Sequence, residues 1–205
     1  MGPTTAPLSG AREQHKLATR RALENAALRL FARDGFDATS IEAIAAEAKV
    51  SARTYFRYFA TKDEVLTPDR EERQALLGTA VAAAGGSPGR SALEIAAEAL
   101  LAIAPSFEDE RDTMLLRRQA AVTSPVLRGR LHDVVHTWER TLSDALLETT
   151  GSFLRSDVAA QAATAVWQGA ITRWLDQGSG TLTEQLASAF GALIGHADRG
   201  SEATA

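Results

Sequence analysis

Between Thr39 and Lys62 the chain reads TSIEAIAAEAKVSARTYFRYFATK, and this stretch constrains the fold more than any other. Ile41, Ile44, Ala45 and Ala48 fall at i, i+3, i+4 and i+7, the spacing of one apolar stripe on a short helix. Lys49 and Val50 interrupt the stripe, and Ser51 is a residue type that caps a new helix, expected to end around Phe59. Within that second helix Tyr55 and Phe59 are four apart and share the inward face, which leaves Ala52, Arg53 and Phe56 pointing outward. Two short helices joined by a tight turn, the second with a basic exposed face, have the size and shape that enter a DNA major groove.

The same periodicity organises the rest of the chain. A first helix is expected over 11–34, with Leu23, Ala27, Leu30 and Phe31 on one face and Gly35 as its stop. Thr39 with Glu42, and Thr61 with Glu64, have capping-box spacing, the second pair opening a fourth helix that Pro68 kinks or restarts. GGSPG at 85–89 reads as a linker. Ser91 with Glu94 opens the next helix, Ser106 caps one running through 121, and Ser124-Pro125 starts another that ends near 149. Gly151-Ser152 breaks the chain before a helix over 157–177, GSG at 178–180 stops it, and Thr181 with Glu184 caps the last, through 197. The expected fold is all-α, with about nine helices, no strand and no internal repeat. It divides into a disordered arm (1–10), a helix-turn-helix domain (11–62), a larger helical bundle (63–199) and a disordered tail (200–205).

Composition agrees. Hydrophobic residues are 45% of the 205, enough for a sizeable core, and Ala and Leu dominate them, which favours helix over sheet. The absence of cysteine excludes disulfides, thiolate metal sites and thiol nucleophiles. The N-terminal MGPTTAPLSG has no signal-peptide pattern and no run reaches membrane-spanning length, so a soluble cytoplasmic protein is expected. The net charge of −4 is unevenly spread. Residues 1–62 carry ten Lys and Arg against six Asp and Glu, a net of +4, and the remainder twelve against twenty, a net of −8. A basic head on an acidic body suits a chain whose N-terminal part meets nucleic acid.

The order and spacing of Phe31, Gly35-Phe36, Thr39-Ser40-Ile41, Ile44-Ala45, Val50-Ser51, Thr54-Tyr55-Phe56-Arg57-Tyr58-Phe59 and Thr61-Lys62-Asp63-Glu64 resemble the N-terminal domain of TetR-family regulators over about fifty residues. The resemblance implies a three-helix DNA-binding domain on a helical domain that dimerises and binds a small ligand. Ser51, Ala52 and Arg53 then open the recognition helix. Arg53 can bond guanine O6 and N7 in bidentate fashion, and Ala52 and Phe56 can touch a thymine methyl. Thr54, Arg57 and Tyr58 flank the groove as phosphate contacts, Lys62 holds a phosphate at the start of the following helix, and Thr39 and Ser40 hold the opposite strand. Three positions depart from the pattern: Phe56 where the family commonly has Tyr, Ala60 where it often has Pro or Lys, and Glu42, which capping explains more simply than a cytosine contact.

Beyond the head, MLLRRQAAVTSPVLRGRL at 114–131 resembles the subset of that family with an acyl-CoA-like ligand-binding domain. Arg117 and Arg118, with Arg128 and Arg130, could hold an acidic headgroup, and Phe107, Met114, Trp138 and Trp167 could line an apolar cavity. The last two helices carry Trp167, Ile171 and Trp174, then Leu186, Phe190, Leu193 and Ile194, a stripe to be buried internally or on a second copy. An isologous homodimer is what the resemblance implies, with recognition helices about 34 Å apart on a pseudo-palindromic operator. No cofactor is expected. Two rival readings stand beside a ligand-released repressor. One is a non-specific architectural DNA binder. The other is a metal hydrolase built on His132-Asp133-Val134-Val135-His136, whose two histidines share a helix face at i, i+4.

Overall fold

The computed structural model describes residues 8–66, 70–86 and 89–202. Among them are ten α-helices, one 3-10 turn and no strand. The chain is all-α, with an N-terminal helix-turn-helix and a C-terminal bundle, and its residues group into two compact units.

The first unit contains α1 (Leu8–Asp34), α2 (Ile41–Glu47), α3 (Ala52–Phe56) and the 3-10 turn Asp63–Leu66. Its core is the stripe read from the sequence: Leu23, Ala27, Leu30 and Phe31 of α1 pack with Ile44, Ala45, Tyr55, Phe59 and Val65, all buried. Residues 115–131 also belong to this unit, and Ala120, Ala121 and Leu127 lie in the same core. The division at residue 62 therefore leaves out a piece of the N-terminal unit that arrives much later in the chain.

Gly35 ends α1 with φ +88°, its N–H donating to the Phe31 carbonyl at 3.1 Å. The capping box expected at Thr39 does not form. Ser40 caps α2 instead, its Oγ accepting from the Ala43 N–H at 3.1 Å. Thr39 turns back, and its hydroxyl donates to the Gly35 carbonyl at 2.8 Å. Ser51 caps α3 as expected, accepting from the Thr54 N–H at 3.1 Å, but α3 stops at Phe56 rather than near Phe59. Thr61 opens no helix. Glu64 reaches the Ala60 N–H at 2.5 Å, and the next α-helix begins at Arg70. The expectation for Pro68 lies outside the described residues.

The second unit takes α4 (Arg70–Ala84), α5 (Ala92–Ile103), the short α6 (Pro105–Glu108), α9 (Phe153–Gln177), α10 (Leu182–Glu202) and the remaining parts of α7 (Arg111–Thr123) and α8 (Pro125–Thr150). Helix α5 is its centre. Ile95, Ala96, Ala97, Ala99, Leu100 and Ile103 are all buried, and the helix packs against α4, α9 and α10. Ser91 and Glu94 form the expected capping box. Thr181 and Glu184 form another, at 2.9 and 3.0 Å. Gly178, at φ +67°, ends α9. Ser106 caps nothing downstream, because its hydroxyl donates to the Ile103 carbonyl and α7 starts at Arg111.

At the ends, residues 8–10 are helical where an arm was expected, and α10 continues into the tail as far as Glu202. The rest of the arm and tail lies outside the described residues. No helix among the described residues is long and apolar enough to cross a membrane.

Candidate nucleic-acid interface

The turn between α2 and α3 is built by backbone bonding. The Val50 N–H donates to the Ala45 carbonyl at 2.9 Å and the Lys49 N–H to the Ala46 carbonyl at 3.0 Å, with Lys49 in the left-handed region at φ +58°. This is the Schellman closure of a helix end, and here it redirects the chain into α3.

Helix α3 divides as the sequence predicts. Tyr55 is fully buried, and its phenol donates to the Thr61 carbonyl at 3.0 Å. Phe59 is buried beside it, with ring centroids 5.5 Å apart. Burial, then the nearby charges of Glu64 and Asp63, push the Tyr55 phenol well above its ordinary titration range. On the opposite face Arg53 and Arg57 are exposed, and Phe56 is 54% exposed although it meets the edge of Tyr55 at 5.7 Å. Ala52 and Thr54 are half-buried, and the Thr54 hydroxyl lies 3.0 Å from that of Ser51. Tyr58 is half-buried, with the Arg57 guanidinium 5.2 Å from its ring centroid and 3.5 Å from its hydroxyl. Two guanidiniums, of Arg53 and Arg57, and the Tyr58 phenol thus lie within residues 53–58, a donor set suited to phosphate oxygens and base edges.

Two predicted phosphate contacts have structural duties. Lys62 donates to the Phe36 carbonyl at 2.6 Å and the Thr39 carbonyl at 2.9 Å, and its ammonium sits 4.1 Å from the Phe36 ring centroid. Two of its three donors are used inside the unit. Thr39 is only 4% exposed. Ser40 is exposed and, as a cap, uses its oxygen as acceptor while the hydroxyl proton stays available to a phosphate.

The residues proposed for an effector part company. Phe107, Trp138 and Trp167 come together in the second unit, with centroids 5.1 to 6.1 Å apart and the two indoles within 19° of parallel. Arg73 lies 4.5 Å over Phe107 and pairs with Glu110 at 2.6 Å, neither foreseen from the sequence. Met114 is half-buried at the start of α7. Arg117 and Arg118 belong instead to the first unit, where Arg117 is ion-paired with Glu24. Arg130 pairs with Asp63 at 2.6 Å. A separate open hollow, lined by Arg90, Leu93, Leu154, Arg155 and Val158 among others, involves none of the aromatic trio.

Of the residues expected at a dimer face, Trp167, Trp174, Leu186 and Phe190 are buried within the single chain and form part of its own core. Ile171 and Ile194 are half-buried, and Leu193 is 39% exposed. His132 and His136 are exposed with ring centroids 4.4 Å apart, but no group of three His, Cys, Asp or Glu placed to hold a metal occurs among the described residues.

The comparisons with known proteins converge on one family. Residues 24–67 match the family described as bacterial regulatory proteins, tetR family, and residues 90–197, more than half of the chain, match the MftR C-terminal domain. The transcriptional regulator TcmR of Streptomyces glaucescens is 41% identical over 81 residues, which are 38% of this chain and only 36% of TcmR. The Mycobacterium tuberculosis protein MftR, assigned as a mycofactocin biosynthesis transcriptional regulator, is 28% identical over 183 residues, 86% of this chain and 90% of that protein. Among solved structures, the TetR-family repressor FadR of Thermus thermophilus, in complex with lauroyl-CoA, aligns with a TM-score of 0.53 at 22% identity, covering 85% of this chain and 93% of that one. With its helix-turn-helix and most of its helical body matched in order, the chain belongs to the TetR family of bacterial transcriptional regulators.

Proposed function

We propose that this regulator is a homodimeric repressor that holds a pseudo-palindromic operator through α3 and is released by a small apolar or amphipathic effector. The observation that carries the reading is the division of residues 52–59: Tyr55 and Phe59 are buried and anchor α3 and the chain after it, while Arg53, Phe56 and Arg57 are exposed. Arg53 reads base edges. Ser40, Ser51, Thr54, Arg57 and Tyr58, with the remaining donor of Lys62, engage the backbone, and Thr39 supports the site from inside. A dimer sets two such helices one turn of DNA apart. An effector that binds better to a second arrangement of the heads draws the protein away from that spacing.

FadR of Thermus thermophilus is bound to lauroyl-CoA, which makes an acyl thioester the first compound to try. Selection of duplexes from a random pool, followed by footprinting, tests the operator. An enriched inverted repeat with half-sites about one helical turn apart is expected. Binding without enrichment or a footprint boundary would favour an architectural role instead.

A further inference from the structure

Outside the helix-turn-helix, the first unit contains two ion pairs that join distant parts of the sequence. Glu24 on α1 pairs with Arg117 on α7, and the two side chains are only 8% and 14% exposed. Asp63, beside Lys62 at the start of the 3-10 turn, pairs with Arg130 on α8 at 2.6 Å. Between the two arginines, Ala120, Ala121 and Leu127 enter the core that also holds Leu23, Phe31, Tyr55 and Phe59. The two guanidiniums flank this shared core.

We infer that Arg117 and Arg130 are positioning residues for DNA recognition, acting through their ion pairs with Glu24 and Asp63. Residues 115–131 form a late-arriving wall of the DNA-binding unit, although they fall within the part of the chain matched by the C-terminal domain family. Glu24 shares α1 with Phe31, which lies in one core with Tyr55, so the Arg117 pair fixes a helix whose core α3 shares. Asp63 adjoins Lys62, whose ammonium ties the chain after α3 to the Phe36 and Thr39 carbonyls, so the Arg130 pair fixes the other end of α3. Burying a carboxylate is costly unless its partner stays, so the Glu24 pair sets one arrangement and penalises others. The inference rests on the DNA-reading role of α3 proposed above.

The test uses full-length protein and has two arms. Hydrogen–deuterium exchange of residues 41–59 needs neither operator nor effector. Arg117→Met is expected to speed exchange there at least about tenfold, whereas Arg117→Lys, which keeps the charge, stays near wild type. The second arm compares affinity for the duplex selected by wild type with affinity for a random duplex. Arg117→Met lowers that ratio at least about tenfold and Arg130→Gln about threefold, with binding to random DNA little changed. Arg130 is 54% exposed, so its variant keeps the fold and decides the matter even if Arg117→Met does not. Wild-type exchange over 41–59 and wild-type selectivity in the folded variants would overturn the inference. Failure of wild type to select any duplex would count against the proposed function, leaving the exchange arm to judge the two ion pairs.

Discussion

Tyr55 and Phe56 are neighbours with opposite fates, and the difference separates stability from binding. Tyr55 is fully buried with its hydroxyl bonded to the Thr61 carbonyl, so Tyr55→Phe should cost about 0.5–1.5 kcal/mol of folding stability, measured by denaturant unfolding. Its phenol is raised in the folded state, so the folded protein holds that proton more tightly than the unfolded chain does. The stabilisation is complete below pH about 10, the ordinary phenol value, and is lost as pH rises beyond it. Unfolding followed through the alkaline range should show that decline, and Tyr55→Phe should flatten it. Phe56→Ala, at a half-exposed position, should change stability by less than about 1 kcal/mol yet weaken DNA binding. An equal loss in both would make Phe56 a core residue. These inward and outward assignments were legible from helical spacing alone. The duties of Lys62 and Arg117 were not, because spacing within a helix says nothing about carbonyls and carboxylates that the fold brings from 23 to 93 positions away.

At the scale of elements, the helix-turn-helix rests on a few end-of-helix bonds. Ser51→Ala removes the cap of a five-residue helix and should cost about 1 kcal/mol in denaturant unfolding, with a further loss in DNA affinity as α3 frays. Lys49 holds a left-handed conformation at φ +58° without being glycine. Since that conformation costs an L residue roughly 1–2 kcal/mol and glycine adds entropy to the unfolded chain, Lys49→Gly should be neutral or stabilising by up to about 1 kcal/mol. A clear destabilisation would show that the lysine side chain compensates for its backbone. Most helices were readable from the sequence, and several of their ends were not. Thr39 and Ser40 are both competent caps, and the choice fell to Ser40 because Gly35 offers the Thr39 hydroxyl a carbonyl at 2.8 Å. The short α6 was absorbed into its neighbour because Ser106 bonds backward to Ile103 rather than forward.

For the whole molecule, the helical patterning and the motifs pointed to a helix-turn-helix regulator with a helical body, and the family matches agree. Residues 115–131 mark where sequence order misleads, because a domain read as continuous recruits a wall from the middle of the chain. The apolar stripe of α9 and α10 posed a choice between internal core and dimer face. Trp167, Trp174, Leu186 and Phe190 took the first, leaving Leu193 among the residues open to a partner. Sedimentation is expected to give a dimer of two 21.8 kDa chains, and a monomer at micromolar concentration would contradict the two-headed reading of the operator. The most direct test of the central claim compares Arg53→Ala with wild type on the selected operator and on random duplex at one salt concentration. A loss of about 1–3 kcal/mol confined to the operator is predicted. An equal loss on both duplexes would contradict it, making Arg53 a phosphate contact and leaving α3 without its principal reader.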